Sequence, residues 1–354
     1  MILNRRELLN ALEDVKQAGK TAIPILEGVA VTTEDNNLIL ETSNLEMHIR
    51  RRIPLESTES IKTVIPFKPF AEIVKKIPAD TIDIKPEESM VVISAGTSKH
   101  RINTMDINEF PLFPEIESEP FSIDADVLSG LIKRTTHACS KNDVRPFLTG
   151  VFLHTTDNRM IAVATDSFRL AASSVEMACP QIGVMLPTAS LNKIAQLNGT
   201  IECQITENQA LFRNENTTVT TRLIEGQFPN YERIIPTEHK TSIFISRNEF
   251  IGAVERASIL SDDKQDGGVV LELDKEFTVT SESTTGKAKE VVAFSGDALP
   301  FTIRCKHRFL LEALKAVDDE GVVFHFSDSL APMVVEPDGS NEWLQLIMPI
   351  NMNQ

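Results

Sequence analysis

Apolar positions along this chain follow two rhythms. Short apolar runs, such as Asn37-Leu38-Ile39-Leu40-Glu41-Thr42 and the alternating Phe277-Thr278-Val279-Thr280-Ser281, are bounded by polar turns and predict antiparallel strands. Longer segments carry apolar residues at i, i+3 and i+4 and predict helices with one buried face. Three of these share one design: Leu3 to Leu12, Ile123 to Ile132 and Ile245 to Val254. Each has a short apolar strand, a residue whose side-chain oxygen can accept from an orphan first-turn amide, and then the helix. The capping positions Asn4, Asp124 and Ser246 stand 120 and 122 residues apart.

A second set of helices lies about 60 residues into each unit: Pro66 to Ile77, Pro187 to Leu197 and Arg304 to Val317. Their apolar positions, for example Phe70, Leu191 and Leu310, repeat at spacings of 121 and 119. Two helices recurring at one period in three copies describe an internal repeat of about 118 residues, each copy holding two helices and about eight strands. The Pro- and acid-rich stretches Phe113 to Pro120 and Pro236 to Lys240 mark the seams. The expected domains are therefore 1–117, 118–237 and 238–354, each α+β with two helices packed on antiparallel sheets.

Composition agrees with several domains, because 354 residues with 42% hydrophobic content exceed what one ordinary core holds. No apolar run approaches the roughly 20 residues needed to span a bilayer, and the first residues lack the apolar core of a signal peptide. A cytoplasmic protein with no membrane partner is expected. Cys139, Cys179, Cys203 and Cys305 are far apart and form no CxxC pair, so no zinc knuckle or redox motif assembles locally. The net charge of −16 argues at first against nucleic acid, whose affinity for proteins comes from Lys and Arg displacing counterions. That acidic excess is heaviest in the last third, however, and an acidic total leaves room for a basic inner face.

Enzyme signatures come up short: there is no GxGxxG, Walker A loop, HExxH or GxSxG, and the seven histidines lack metal-ligand spacing. No cofactor or metal is expected. Asp166 and Ser167 are the one pair to consider for catalysis, although a carboxylate beside a hydroxyl more often makes a turn or a cap. From residues alone, three readings stay open: a hydrolase or transferase using that pair, a monomeric peptide-binding adaptor, and a scaffold without chemistry.

Four stretches narrow the choice: Asp143 to Gly150, Val163 to Ala171, Leu223 to Pro236 and Leu346 to Ile350. With Ile23-Pro24-Ile25-Leu26 and Ser43-Asn44-Leu45-Glu46-Met47, they make the chain similar nearly end to end to the bacterial DNA polymerase III beta subunit (beta sliding clamp) family. The resemblance implies three similar domains per subunit and a head-to-tail homodimer closed into a ring around duplex DNA, held without regard to sequence. It also implies a processivity factor with no catalytic residues, with helices lining the hole and sheets outside. A hydrophobic pocket would receive peptides from the DNA polymerase III catalytic subunit, the clamp loader and other proteins carrying a clamp-binding motif. Positions matching that pocket are Leu148, Thr165, Phe168, Arg169, Leu170, Pro236, Leu346, Met348, Pro349 and Ile350. The apolar members fit such a role and Arg169 and Thr165 offer polar contacts at its rim, while an interdomain core is the alternative use of the same residues.

Matching positions for DNA are Lys20, Lys68, Asn142 and Arg145, with Lys75, Lys76, Lys133 and Arg134 on helix faces opposite the apolar stripe; a solvated outer face is the alternative for each. The edge-to-edge subunit contact implied by the resemblance would bring His100 and Ile102 near Ile259 and Leu260. The chain departs from the family pattern with Phe168 where His is common, Ser167 where Gly is common, and a tail, Asn351-Met352-Asn353-Gln354, without the usual Arg.

Overall fold

In the computed structural model of the chain, the structure describes residues 1–17, 22–55, 59–141, 144–261, 268–296 and 299–350. Six helices lie among them: α1 (Arg5–Val15), α2 (Phe67–Lys76), α3 (Ala125–Thr135), α4 (Thr188–Ile194), α5 (Arg247–Ser258) and α6 (His307–Lys315). They fall two to each repeat. Asn4 caps α1 by accepting from the amides of Arg6 and Glu7, and Asp124 accepts from the amide of Asp126 at the start of α3.

Ser246 departs from that expectation, since its hydroxyl makes no capping bond. The start of α5 is held by Arg247 instead. Its amide donates to Glu320 O (2.9 Å), and its guanidinium donates to Asp319 O (2.6 Å) and Leu314 O (3.1 Å). Arg5 does the same work for α1, donating from its amide to Asp80 O (2.8 Å) and from Nε to Ala79 O (2.8 Å).

Compactness divides the chain into unit 1, residues 1–126 and 189–223, and unit 2, residues 127–188 and 224–354. These lines run through the second repeat because the long sheets join strands of two repeats. In unit 1 an antiparallel sheet runs Lys62–Pro66, Gly28–Glu34, Asn37–Ser43, Met47–Pro54, Thr217–Arg222, Gln209–Arg213, Thr200–Ile205, Phe121–Asp124. The repeats meet where Met47–Pro54 pairs with Thr217–Arg222. A second sheet of this unit, Ile2–Asn4, Thr81–Glu87, Met90–Ala95, Ser98–Asn103, ends on the edge strand Ser98–Asn103.

Unit 2 follows the same plan. Its long sheet runs Gly183–Pro187, Gly150–Thr156, Arg159–Thr165, Arg169–Glu176, Trp343–Ile347, Met333–Pro337, Gly321–Phe326, Thr241–Ser246, Phe294–Ser295. Arg169–Glu176 pairs with Trp343–Ile347, setting Leu170 opposite Leu346. Its shorter sheet, Gly286–Val292, Phe277–Ser283, Gly268–Leu273, Phe301–Lys306, has Gly286–Val292 at one edge. The helices lay their apolar faces on these sheets. Phe250 of α5, fully buried, packs against Phe277 and Phe324 at ring separations of 5.7 and 5.1 Å. Truncating such a side chain to alanine typically costs about 3–5 kcal/mol.

No helix of the described residues is long and apolar enough to cross a membrane. Among the described residues no three His, Cys, Asp or Glu side chains group to hold a metal.

Candidate functional site

The segment Thr165 to Arg169 connects two neighbouring strands of the unit 2 sheet by a turn that its own side chains build. Asp166 Oδ1 accepts from the amides of Phe168 (2.9 Å) and Arg169 (3.0 Å), and Thr165 Oγ1 accepts from the Ser167 amide (3.1 Å). The Thr165 hydroxyl in turn donates to Arg169 O at 2.7 Å. Ser167 takes φ 76°, the left-handed region that glycine enters without cost and other residues do not. Asp166 is thereby engaged as an Asx turn, the structural role weighed against catalysis for this residue.

The turn occurs twice. In unit 1, Asn44 Oδ1 accepts from the amides of Glu46 (3.0 Å) and Met47 (2.7 Å), Ser43 Oγ accepts from Leu45 (3.1 Å), and Leu45 has φ 71°. Ser43, Asn44 and Leu45 precede Thr165, Asp166 and Ser167 by 122 residues. The second copy differs in carrying Phe168 and Arg169 where the first has Glu46 and Met47.

Arg169 organises what lies beneath its turn. Its guanidinium is 6% exposed, pairs with Asp166 Oδ2 at 3.0 Å, donates to Glu312 of α6, and lies 4.5 Å over the Phe309 ring. Glu312 also accepts from Arg308 at 2.7 Å. Burial pushes the Glu312 carboxyl up, but hydrogen bonds and charge from Arg308 and Arg169 outweigh it and hold the group below its ordinary range. Burial, aided by the charge of Arg169, pushes the His137 imidazole down to about 4, so it is neutral at physiological pH. Burial also raises the Cys139 thiol to about 11, which leaves it an inert core residue.

The last strand brings its end to this turn. The Met348 amide donates to Phe168 O at 2.9 Å and the Ile350 amide to Arg304 O at 2.7 Å. Leu170 and Leu346 are buried with Val163, Met185, Phe228, Tyr231 and Val334, and Leu148 and Thr165 are buried too. Accessible apolar surface beside them comes from Phe168, 60% exposed, and Met348, 37% exposed, with Pro236, Pro349 and Ile350 half-buried. Phe168 and Met348 are thus tied by a backbone bond although 180 residues separate them. The sequence reading placed Arg169 and Thr165 at a rim. The structure spends their polar atoms inside the turn, where the desolvated guanidinium finds two carboxylates. Glu312, Phe309 and Lys306 were not anticipated; their only sequence signal is the start of the sixth helix.

Sequence-predicted residues of other kinds lie elsewhere. Lys68 is exposed at the start of α2 and lines a cavity of about 960 Å3 in unit 1 with Pro24, Leu26, Ser43, Pro66 and Met105. Arg145 is exposed before the 3-10 turn Pro146–Leu148 of unit 2. Lys20, Asn142 and the tail from Asn351 lie outside the described residues. Lys76 pairs with Glu72, Lys133 with Asp318 and Arg134 with Glu342. His100 and Ile102 are on the edge strand Ser98–Asn103, with His100 exposed and Ile102 buried. Ile259, 77% exposed, and Leu260 follow α5; Leu260 Cδ1 lies 3.5 Å from where a Cβ on Gly286 would stand, at the edge strand Gly286–Val292.

Three family models match the chain in order: the N-terminal domain of the DNA polymerase III beta subunit over residues 1–114, its central domain over 122–230 and its C-terminal domain over 232–351. The chain belongs to the DNA polymerase III beta subunit family. The beta sliding clamp of Staphylococcus aureus is 30% identical and that of Bacillus subtilis 28%, each alignment covering 98% of both chains. The crystal structure of the Bacillus subtilis DNA polymerase sliding clamp superposes with a TM-score of 0.94 at 27% identity, covering 99% of this chain and 98% of that one. A sliding clamp from Pseudomonas aeruginosa bound to griselimycin matches at TM-score 0.94 and 27% identity, covering 99% of each. The family's three clamp domains correspond to the three repeats, and their sheets and helices to those described above.

Proposed function

We propose that this protein is a DNA sliding clamp, a processivity factor that encircles duplex DNA and tethers the replicative polymerase to it. The observation that carries the reading is the agreement, end to end and in order, between the threefold repeat and the three clamp-domain models. Two subunits with domains 1–117, 118–237 and 238–354 close head to tail into a six-domain ring. The edge strand carrying His100 and Ile102 of one subunit meets the end of α5, Ile259 and Leu260, and the edge strand Gly286–Val292 of the other. Edge strands expose unpaired amides and carbonyls, and their pairing across subunits removes that liability.

A ring also reconciles DNA with a net charge of −16. Topology, rather than counterion release, keeps the duplex in place, so a few contacts from Lys20, Lys68, Asn142 and Arg145 suffice and stay weak enough for sliding. The protein works in the cytoplasm and has no catalytic residues of its own. Its partners are the DNA polymerase III catalytic subunit, the clamp loader and other proteins with a clamp-binding motif. They dock short apolar segments on the surface of Phe168, Met348, Pro349 and Ile350, with Leu148, Leu170, Pro236 and Leu346 behind it.

Support for that surface is the exposed apolar pair Phe168 and Met348, held by main-chain bonds over a rigid sheet, since small interfaces concentrate their energy in one or two buried anchors. Titrating a peptide from the polymerase against Met348→Ala with Pro349→Ala tests it. Binding is expected to be lost while the fluorescence of the single tryptophan, Trp343, is unchanged; undiminished affinity would move the pocket elsewhere.

A further inference from the structure

We propose that the long sheet of unit 1 carries a binding site for a small phosphate monoester, centred on Arg52 and separate from the peptide-docking surface and from the residues assigned to DNA. Glu41, Arg50, Thr218, Arg213 and Glu202 stand opposite one another in a single row across five neighbouring strands. Each arginine of the row meets the carboxylate across from it: Arg50 donates from Nε to Glu41, and Arg213 Nη2 lies 2.7 Å from Glu202 Oε1. Arg52 follows Arg50 by two residues and so shares its face of the sheet, but the residue across from it is Ile39. Among the described residues no carboxylate pairs with the Arg52 guanidinium, although the residue is half-buried.

A cavity of about 230 Å3 lies over this face, between the three arginines and the segment Phe113 to Ile116. Its apolar walls are Phe113, Pro114, Ile116 and Leu211. Arg50 fixes the first of these, with its guanidinium carbon 4.0 Å from the centroid of the Phe113 ring. A cavity of that size takes a small ligand rather than a length of chain. Glu115, which is exposed, is the one carboxylate among the lining residues and opposes an anion there.

Taking a charge partly out of water without a partner is costly, so a half-buried guanidinium beside a cavity calls for an anion. A carboxylate has two oxygens and one charge, which the fork of Arg52 alone would saturate. A phosphate monoester offers three terminal oxygens and up to two charges. It can therefore accept two bonds from Arg52 and further bonds from the terminal N–H groups of Arg50, whose Nε is the atom spent on Glu41. The walls of Phe113, Pro114, Ile116 and Leu211 then receive a short apolar body attached to the phosphoryl group.

The test is isothermal titration calorimetry of the whole protein with phenyl phosphate, in a phosphate-free buffer at a pH of about 8, where the probe carries two charges. Inorganic phosphate and benzoate are the comparators. Phenyl phosphate should bind once per chain, about tenfold more tightly than benzoate and at least about threefold more tightly than inorganic phosphate. Arg52→Met should weaken it about tenfold or more, and Arg52→Lys, which keeps the charge and loses the fork, should fall between. Glu115→Gln should tighten binding about two- to threefold. No saturable binding at about 10 mM phenyl phosphate, an affinity no better than that of either comparator, or wild-type affinity in Arg52→Met would overturn the assignment. Should Arg52→Met fail to fold, the ranking of the three probes by the wild type and the direction of the Glu115→Gln effect decide the matter.

Discussion

Arg169→Met removes the charge at the centre of the candidate site and keeps most of the side chain's volume. The guanidinium is 6% exposed and its partners Asp166 and Glu312 are 14% and 31% exposed, so the substitution leaves two carboxylates facing each other with little water. Breaking a buried pair from one side costs about 3–5 kcal/mol. Glu312 keeps its bond from Arg308 and is partly solvated, which lowers the expected loss to about 2–3 kcal/mol. Urea unfolding followed by Trp343 fluorescence reads this locally. That indole is 2% exposed, lies in the strand paired with Arg169–Glu176, and donates to Asp319 Oδ2 at 3.0 Å. In a double-mutant cycle, Glu312→Gln should be costly in the wild-type chain and nearly neutral beside Arg169→Met. A midpoint for Arg169→Met matching the wild type, or the same Glu312→Gln penalty in both backgrounds, would refute the idea that this pair anchors the turn.

Other expectations can be stated briefly. The His137 imidazole is held at about 4 in the fold against 6.5 when unfolded, so the unfolded chain takes up that proton first. Stability should fall by up to about 3 kcal/mol as pH drops from 6.5 through about 4, and His137→Gln should flatten that part of the profile; an unchanged profile would count against it. Ser167→Gly relieves a left-handed serine and should raise stability by up to about 1 kcal/mol in urea melts, whereas a loss would contradict the strain argument. Ile259→Ala with Leu260→Ala should shift sedimentation from dimer toward monomer, since each buried aliphatic side chain contributes roughly 1.5–3 kcal/mol. Lys68→Glu should shorten residence on DNA most at low salt, and an effect independent of salt would place that lysine away from phosphate.

The six helices were legible because each pairs an apolar stripe of helical period with a defined start, and the pattern recurs at nearly constant spacing. The long sheets were not. Met47–Pro54 pairs with Thr217–Arg222 and Arg169–Glu176 with Trp343–Ile347 across more than 160 residues, and alternation along a strand names its buried face but not its neighbour. Arg169 illustrates the same limit. Its position within a motif marked it as functional, yet its partner Glu312 lies on a helix 143 residues away, which no spacing rule connects. The doubled turn of Ser43-Asn44-Leu45 and Thr165-Asp166-Ser167 was available in principle at the repeat spacing. It shows what residue 167 has to tolerate: the backbone there has positive φ, which glycine enters without cost and serine does not. Ser246 shows a residue of capping type in register without the capping bond, because Arg247 secures that helix start through backbone carbonyls instead.

The measurement that bears most directly on the clamp reading is retention on DNA as a function of DNA topology. The protein, loaded by its clamp loader onto a nicked circular duplex and passed over a sizing column in high salt, should stay with the DNA. It should be released when a single restriction cut linearises the same circle. Encirclement predicts that release, because a ring held by topology slides off a free end whatever its surface charge. Equal retention on circular and linear DNA would mean that surface contacts do the holding, and loss from both at high salt would mean that no closed ring forms around the duplex; either result would contradict the account.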